Sequence, residues 1–457
     1  MTTSASRSLS SILAAHAVNT RWEDLPDAAL VSAKRMALDT LAVAWAGTAA
    51  PGIPSVRDLF VDEGGSAHST VWATTVRLPS RSAAFLNSAA AAALDYDGMR
   101  STERGSVHAD SVVLPAALAV AEQAGSSGRE LLAALVLGND IVTRLGAASS
   151  LPHKGWYHTS IYGVFGAAAA AARLLGLDQD ATCHALGLAA NQASATQLPN
   201  IERSLAKRYS SSFAAHAGVL AALLAARGIT AARAAFEGKS GFYDLYQHGD
   251  AELVVANLGR DYPHTTTGIK RYPSCACNHT AIDAALQLSR ELAIGGSAVE
   301  RIEVTISPYV HRLVGAPFEP GADPQVAAQF SVQYSVAAAL LRRRFRLADI
   351  EPAAVNDAET VRVAQSVEVK IEPSWGNSRA ATVRVQIAGK GALERHVEHI
   401  PGSAQSPLNA ADLQDKVLDC LQSGIRPLPQ ASARLLIGRV NEMESLENAT
   451  RLFDGVL

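Results

Sequence analysis

Apolar residues recur at helical spacing from residue 9 to about residue 246, and capping signals fall between the apolar stretches. The segment Ser-Gly-Arg-Glu at 127–130 is a capping box that predicts a helix over residues 131–145, and Gly125 is placed to end the preceding helix. Further helices are expected over residues 167–175, 178–188 and 213–226, and from Thr230 onward. The first part of the chain is therefore predicted to be an all-helical body with short connections.

The pattern changes after about Thr265. Residues 299–306 alternate apolar and polar side chains as a half-buried strand does, and three later segments are read as strands in the same way. These lie at residues 366–371, 381–387 and 395–400. Residues 280–292 and 332–342 are expected to be helical. The combination predicts an α+β unit with a small antiparallel sheet.

A helical pattern returns after Pro401 and Gly402, over residues 410–421, with Asn409 as its N-cap. Helices that follow an inserted α+β unit indicate that the chain returns to its first domain. The fold class predicted is mainly α. A large helical domain is formed by both chain ends, residues 1–264 and 401–457, and residues 265–400 form a smaller α+β domain.

Composition narrows the class of protein. The chain is 48% hydrophobic but only 5% aromatic, which favours closely packed helices built from small side chains. A net charge of −3 offers no basic surface for nucleic acid or an anionic membrane. The first 13 residues fit an amphipathic helix better than a signal peptide, and the apolar run at 163–172 is shorter than the roughly 20 residues a membrane span needs. A cytoplasmic protein is expected.

Four cysteines in so long a chain argue against a disulfide framework. Cys275, Cys277 and His279 lie close in sequence, but neither remaining cysteine belongs to a second such cluster, and structural zinc requires four ligands. We therefore predict no metal site and two reduced thiols packed at the start of a helix.

The clearest chemical signal lies at the end of an alanine-rich run. Asp95 and Asp97 follow that run, and a polar connector over residues 99–107 leads to His108. A carboxylate and an imidazole can exchange protons near neutral pH when burial tunes them. Aspartates at a helix end are also common as caps. These residues alone leave both interpretations open.

Several segments, in the same order along nearly the whole chain, resemble the MmgE/PrpD family. They are residues 93–97 (Ala-Leu-Asp-Tyr-Asp), His108 before a Val-Val-Leu-Pro helix, 136–146, 155–160 (Gly-Trp-Tyr-His-Thr-Ser), 163–169, Lys207 with 214–218 (Ala-Ala-His-Ala-Gly), 270–275 (Lys-Arg-Tyr-Pro-Ser-Cys) and 328–334 (Ala-Gln-Phe-Ser-Val-Gln-Tyr). The family includes 2-methylcitrate dehydratases, cis-aconitate decarboxylases and iminodisuccinate epimerases.

The resemblance implies that the α+β domain at residues 265–400 is a lid and that the active site lies in the cleft between this lid and the helical domain. It also implies that the protein is a homodimer and needs no metal or organic cofactor. It places the site residues at Asp95, His108, His158, Lys207, Lys270 and Tyr334. The two lysines are expected to bind substrate carboxylates. The two histidines would serve as base and acid. Asp95 would orient one of them or set its protonation state, and Tyr334 would donate a hydrogen bond or a proton.

The chain also departs from the family pattern. Met99 stands where many members have threonine, and Asp110, two residues after His108, stands where a serine is usual. Ser210 replaces a histidine one turn after Lys207, and a histidine that the decarboxylases carry near Cys275 is absent. Because these changes surround the expected pocket, neither 2-methylcitrate nor cis-aconitate is assigned as substrate from sequence.

The leading prediction is a cofactor-independent lyase, a dehydratase or decarboxylase, acting on a small polycarboxylate or related carboxylic acid. An epimerase or isomerase on the same scaffold is the first alternative, because a base and an acid on opposite faces of one carbon would invert it. A helical binding protein without catalytic activity is the second. The changes at Met99 and Ser210 favour that alternative, and the joint presence of the acid, histidine and lysine residues argues against it.

Overall fold

The computed structural model describes residues 8–291, 299–389 and 391–457. The α-helices before the sheet are α1 (Leu9–Asn19), α2 (Asp27–Gly47), α3 (Ile53–Glu63), α4 (Ser80–Ala93), α5 (Asp110–Ala124), α6 (Gly128–Ala147), α7 (His158–Leu174), α8 (Gln179–Ala190), α9 (Leu198–Ile201), α10 (Ser210–Ala225), α11 (Phe242–Leu245), α12 (Ala251–Val255) and α13 (His279–Glu291). Those that follow are α14 (Pro308–Val314), α15 (Pro324–Gln329), α16 (Val332–Arg342), α17 (Pro352–Val355), α18 (Ala358–Gln365), α19 (Ala410–Leu421) and α20 (Gln430–Asn441). No helix of the described residues is both long and apolar enough to span a bilayer.

The strands form one sheet and two short hairpins. The hairpins pair β1 (Ser69–Thr70) with β2 (Arg77–Leu78) and β3 (Arg100–Thr102) with β4 (Gly105–Val107). The sheet contains β5 (Val299–Ile306), β6 (Val367–Ile371), β7 (Ala381–Ile387) and β8 (Gly391–Val397) in the order β6-β5-β7-β8. Helix α13 packs on β7 and β8, and α16 packs on α13 and β6, so the two helices cover this sheet.

Helix α7 lies at the centre of the helical body and packs against α5, α6 and α10. Small residues allow this close approach. A Cβ added at Gly166 would lie 2.6 Å from the carbonyl oxygen of Gly138, and one added at Gly138 would lie 2.9 Å from that of Gly166. The alanine-rich composition is thus explained by helix backbones that almost touch.

The C-terminal helices α19 and α20 pack on α2, near the start of the chain. A buried ion pair joins them, with Lys416 Nζ 2.6 Å from Asp39 Oδ1. The expected return of the chain to its first helices is therefore seen in these contacts. The two domain boundaries, residues 264/265 and 400/401, stay a prediction.

The elements that carry local capping signals are confirmed. Ser127 and Glu130 form the capping box of α6, Gly125 ends α5 in the left-handed conformation with φ 69°, and Asn409 caps α19. The strands at 299–306 and 381–387 and the helix at 332–342 have the expected bounds. Residue 292, the expected end of α13, and residues 1–7 of the first expected helix lie outside the described residues.

Four expectations were wrong. No helix begins at Thr230, because backbone N–H groups of that segment bind elsewhere: that of Ala231 donates to His184 Nδ1 and that of Ala235 to Ser10 Oγ. The first helical body is not all-helical, since it contains both hairpins. The sheet is mixed, because β5 and β6 run parallel after a long helical crossover. The last strand spans Gly391–Val397 rather than 395–400.

Candidate active site

A cavity of about 1690 Å³ is lined by the helical body, the β3–β4 hairpin and residues preceding β7. Five of the six site residues expected from sequence line it, namely Asp95, His108, His158, Lys207 and Lys270. All five side chains are buried, although they come from segments far apart in the chain. The fold therefore brings titratable and cationic groups together at one cavity.

Asp95 lies at the centre of this group. It follows the end of α4 with a φ of 49°, in the left-handed region that aspartate enters more readily than most residues. Lys207 forms an ion pair with Asp95 Oδ1, and Lys270 Nζ lies 3.1 Å from Oδ2 and donates to the Asp95 carbonyl oxygen at 2.6 Å. Burial opposes ionisation of this carboxyl, but the charges of the two lysines and His108 outweigh it and hold its pKa well below the usual range. Asp95 is an anion.

Two different local structures deliver the lysines. Lys207 lies in a 3₁₀ turn, Leu205–Tyr209, that leads directly into α10. The segment before Lys270 is fixed by a bridge in which Met99 and Gly268 exchange backbone hydrogen bonds of 2.9 and 3.0 Å. Burial opposes the charge of Lys207, but the Asp95 anion raises its pKa above the usual range. Lys207 is therefore a cation held next to the cavity.

His108 is partnered by Asp97 rather than by Asp95. Its Nδ1 lies 3.1 Å from Asp97 Oδ2, but among the described residues neither His108 Nδ1 nor Asp97 Oδ1 has a hydrogen-bond partner, so the attraction is chiefly Coulombic. Burial opposes ionisation of Asp97, and the neighbouring His108 lowers its pKa to about 2. This corrects the expectation that Asp95 orients a histidine, because both of its oxygens are engaged by lysines.

His158 is the first residue of α7, and its surroundings keep it neutral. Burial, reinforced by His153 at a ring-centroid distance of 4.4 Å, lowers the pKa of His158 to about 4. The β3–β4 hairpin lies so close that a Cβ at Gly105 would be 2.8 Å from His158 Nδ1. A neutral imidazole offers one donor and one acceptor. Two imidazoles with different surroundings thus line the same cavity: His158 is neutral, and His108 lies beside the carboxylate of Asp97.

Tyr334 is not brought to this site. It is fully buried in α16, where its hydroxyl donates to the Asp349 carbonyl oxygen and Arg342 Nη1 lies 3.4 Å away. It does not line the cavity. The expected catalytic role of Tyr334 is therefore corrected to a packing and hydrogen-bonding role in the core. A tyrosine on an apolar helix gives no sign in sequence of which way its hydroxyl points.

The departures from the family pattern separate into two groups. Met99 and Cys275 line the cavity, whereas Asp110 and Ser210 are buried outside its lining. Asp110 accepts a hydrogen bond of 2.7 Å from Asn139 Nδ2, and burial raises the pKa of Asp110 to about 7. Only Met99 and Cys275 can therefore alter the pocket directly.

The cysteines are free thiols, as expected. Cys275 and Cys277 both line the cavity, and the hydrogen bond between them, together with the nearby Arg379, lowers the pKa of Cys277 to about 7 against the effect of burial. His279 instead donates from Nε2 to the Ser274 carbonyl oxygen at 3.2 Å. Within the three described segments of the chain, no group of three His, Cys, Asp or Glu side chains is arranged to hold a metal ion.

Sequence reasoning missed a second cluster on the cavity wall. Arg379 reaches from the residues before β7 to the β3–β4 hairpin, where it donates to Ser101 and Ser106, and it also lies against Tyr309. The serines belong to the connector at 99–107, which was recognised as polar but given no role. No local motif marks Arg379, because its serine partners are 278 and 273 residues away in sequence.

Family models match both parts of the chain. The MmgE/PrpD N-terminal domain matches residues 11–253, and the MmgE/PrpD C-terminal domain matches residues 272–441. A cis-aconitate decarboxylase of Aspergillus terreus is 29% identical over 353 residues, covering 73% of this chain and 71% of the relative. The cis-aconitate decarboxylase of Homo sapiens is 26% identical over 447 residues, covering 94% of this chain and 90% of the relative. The chain belongs to the MmgE/PrpD family.

Proposed function

We propose that this protein is a lyase, a dehydratase or decarboxylase, that acts on a small polycarboxylate by proton transfer at a carbon next to a carboxylate. One observation carries the proposal: Lys207 and Lys270 converge on Asp95 at a cavity that His108 and His158 also line. Membership of the family and similarity to cis-aconitate decarboxylases agree with a lyase of this type.

The lysine cluster carries a net positive charge. Two ammonium groups face the ionised Asp95, so these three side chains together carry one positive charge that can attract an anionic substrate, although the nearby Asp97 anion offsets part of it. A carbon next to a carboxylate is a weak acid, and the negative charge that develops when it loses a proton must be stabilised. Because Asp95 already holds both lysines in place, little reorganisation is needed when that charge forms.

The histidines have surroundings that suit different steps. Asp97 is ionised beside His108 and can stabilise the imidazolium that forms when His108 accepts a proton. His158 is held neutral and can donate a hydrogen bond to a substrate oxygen or accept one. Two titratable groups whose environments differ in this way are typical of acid and base assignments.

A panel of small polycarboxylic acids, including cis-aconitate and 2-methylcitrate, tests the proposal. Purified protein is incubated with each acid in D₂O, and the products are identified by mass spectrometry and NMR. Loss of carbon dioxide or of water from at least one acid, abolished in His108→Ala, is expected. Binding of several acids without any chemical change would instead favour the non-catalytic binding protein.

An epimerase is the second candidate, because two imidazoles in different surroundings line one cavity. Proton removal by one and return by the other, from opposite faces of a carbon, would invert its configuration. The same experiment separates the two functions. An epimerase would incorporate deuterium at one carbon and change its configuration without loss of water or carbon dioxide.

We further propose that the enzyme is a homodimer that needs no metal or organic cofactor, as the family resemblance implies, and that it is cytoplasmic. The lysine cluster supplies fixed positive charge where a metal would otherwise be needed. Activity is expected to survive exhaustive dialysis against a chelator, and light scattering should give twice the mass of one chain. Activity lost on dialysis and restored by one particular metal would overturn the first expectation.

A further inference from the structure

The second cluster on the cavity wall is centred on Arg379. Its Nη1 donates to Ser101 Oγ at 2.6 Å, its Nη2 donates to Ser106 Oγ at 3.1 Å, and its guanidinium carbon lies 5.3 Å from the centroid of the Tyr309 ring. Arg379, Tyr309 and both serines line the same cavity as the lysine cluster. The contacts fix the guanidinium between the β3–β4 hairpin and Tyr309 of α14.

The charge of Arg379 differs from that of the two lysines because it has no carboxylate partner within the described residues. Its guanidinium donates to three neutral hydroxyl groups, of Ser101, Ser106 and Tyr309, and the Cys277 thiol also lies within hydrogen-bonding reach. A half-buried cation without a carboxylate partner is less well compensated than Lys207 and Lys270, which face Asp95. The nearby thiol of Cys277 can become anionic, but with a pKa of about 7 it supplies only part of a charge at neutral pH. An anionic ligand would complete the compensation.

The cluster also has unused hydrogen-bond donors. A guanidinium has five N–H groups, and those of Arg379 make three hydrogen bonds. The hydroxyls of Ser101 and Ser106 lie 2.8 Å apart. Since both oxygens accept from Arg379, one hydroxyl proton is used between them and the other can be donated to a ligand. A planar cation beside a hydroxyl donor matches the geometry of a carboxylate.

The position of the cluster relates it to the reaction. The hairpin that carries Ser101 and Ser106 also contacts His158 through Gly105, so an anion bound there lies on the His158 side of the cavity. At about 1690 Å³ the cavity is larger than a typical small-ligand pocket. A small acid held only at the lysine cluster would be free to turn, and a second anchor would fix its reacting carbon.

We propose that Arg379, with Ser101 and Ser106, forms a carboxylate-binding subsite that selects substrates with a second carboxylate beyond the one held near Lys207 and Lys270. This inference rests on the proposed function and assigns residues to the second carboxylate of the polycarboxylate substrate. Arg379 is then a specificity-determining residue for the reaction, carried by a different element of the cavity lining from either lysine.

Binding of dicarboxylates tests the subsite without requiring turnover. Succinate, glutarate, adipate and the monocarboxylate butyrate are titrated by calorimetry against the full chain and against Arg379→Gln. At least one dicarboxylate is expected to bind the unchanged protein tenfold or more tighter than butyrate. Arg379→Gln should lose that advantage while its affinity for butyrate stays within threefold, and Arg379→Lys should retain part of it.

Arg312→Gln is the matched control, because Arg312 also lines the cavity and lies over Tyr309, at 5.4 Å, but makes no hydrogen bond to the hairpin serines. It should keep the advantage of the dicarboxylate. An unchanged advantage in Arg379→Gln, or no advantage in the unchanged protein, would overturn the subsite. If dicarboxylates bind more tightly through Arg379 but the protein converts no acid, the subsite is supported and the lyase is not. If the protein converts an acid but its affinity does not depend on Arg379, the lyase is supported and the subsite is not.

Discussion

Two buried aspartate–lysine clusters lie on either side of the turn at residues 95–97, and they differ in what surrounds them. In one, Lys416 pairs with Asp39 at 2.6 Å and donates to the Tyr96 carbonyl oxygen at 2.9 Å. In the other, Lys270 pairs with Asp95 and donates to the carbonyl oxygen of Asp95 itself. Successive carbonyl groups of one turn are thus held by lysines from different parts of the chain.

The balance between burial and the surrounding charges decides the state of each carboxylate. Burial, reinforced by the Asp97 anion, outweighs Lys416 and Arg35 and raises the pKa of Asp39. Asp95 is equally enclosed, but two lysines and His108 overcome burial and lower its pKa. Only the Asp95 cluster lines the cavity. The comparison separates a pair that joins helices α2 and α19 from a cluster whose spare positive charge is available to a ligand.

The largest effect is expected from Lys416→Met, which leaves Asp39 in the core without its cation. Removal of one partner of a buried pair usually costs about 3–5 kcal/mol of unfolding free energy. Chemical denaturation followed by circular dichroism measures the loss. The double variant Asp39→Asn/Lys416→Met should recover part of it, because the buried carboxyl group that lost its partner is also removed. A loss below about 1 kcal/mol in Lys416→Met would show that this pair does not stabilise the fold.

Neither Asp39 nor Lys416 carried a signal in the sequence, whereas Asp95 did. Asp95 interrupts an alanine-rich helix and belongs to a motif shared with the family, but the pairing of residues 39 and 416 exists only after the chain ends meet. Local signals such as the capping box at Ser127 fixed the helix starts correctly. Failures occurred where distant contacts decide, as for the segment after Thr230 and the parallel pairing of β5 with β6.

In the candidate site too, local motifs identified some residues and tertiary contacts decided the others. The resemblance to family motifs located Asp95, His108, His158, Lys207 and Lys270, all of which line the cavity. It also proposed Tyr334, whose hydroxyl is engaged in the core, and it did not find Arg379. Side-chain direction within a buried helix and cross-cavity hydrogen bonds depend on tertiary packing, which a linear pattern does not contain.

His108→Ala and His158→Ala are expected to affect catalysis rather than folding. Each should lower turnover by at least about a hundredfold, the usual contribution of a positioned acid or base. Turnover is measured on the acid that the product screen identifies, and circular dichroism checks that the fold is retained. Near-normal rates in both variants would remove the histidines from proton transfer and weaken the distinction between the catalytic cluster and the Asp39 pair.

Lys207→Met and Lys270→Met test the spare positive charge of the Asp95 cluster. Each substitution keeps most of the side-chain stem but deletes the charge, and the remaining lysine then only neutralises Asp95. Glutarate and butyrate should both bind about tenfold more weakly, a change of roughly 1.4 kcal/mol. The double variant Asp39→Asn/Lys416→Met serves as the matched control and should bind both acids normally. Equal weakening in that control would mean that the two clusters do not differ in function.

The smallest expected effect concerns the pH dependence of stability. It compares two buried groups, His158, whose pKa is lowered, and Asp110, whose pKa is raised. The pKa of His158 falls from 6.5 to about 4 because burial and His153 disfavour its charge. As pH falls below 6.5, the unfolded chain takes up a proton that the folded chain refuses, so this group makes the fold less stable in acid. Asp110, whose pKa burial raises to about 7, acts in the opposite direction, because its folded form binds a proton first. Between pH 7 and pH 5.5 the unchanged protein should therefore lose about 1 kcal/mol more unfolding free energy than His158→Gln does. Over the same pH range Asp110→Asn should lose more unfolding free energy than the unchanged protein does. Parallel stability profiles for the unchanged protein and His158→Gln would show that His158 is not held neutral by its surroundings.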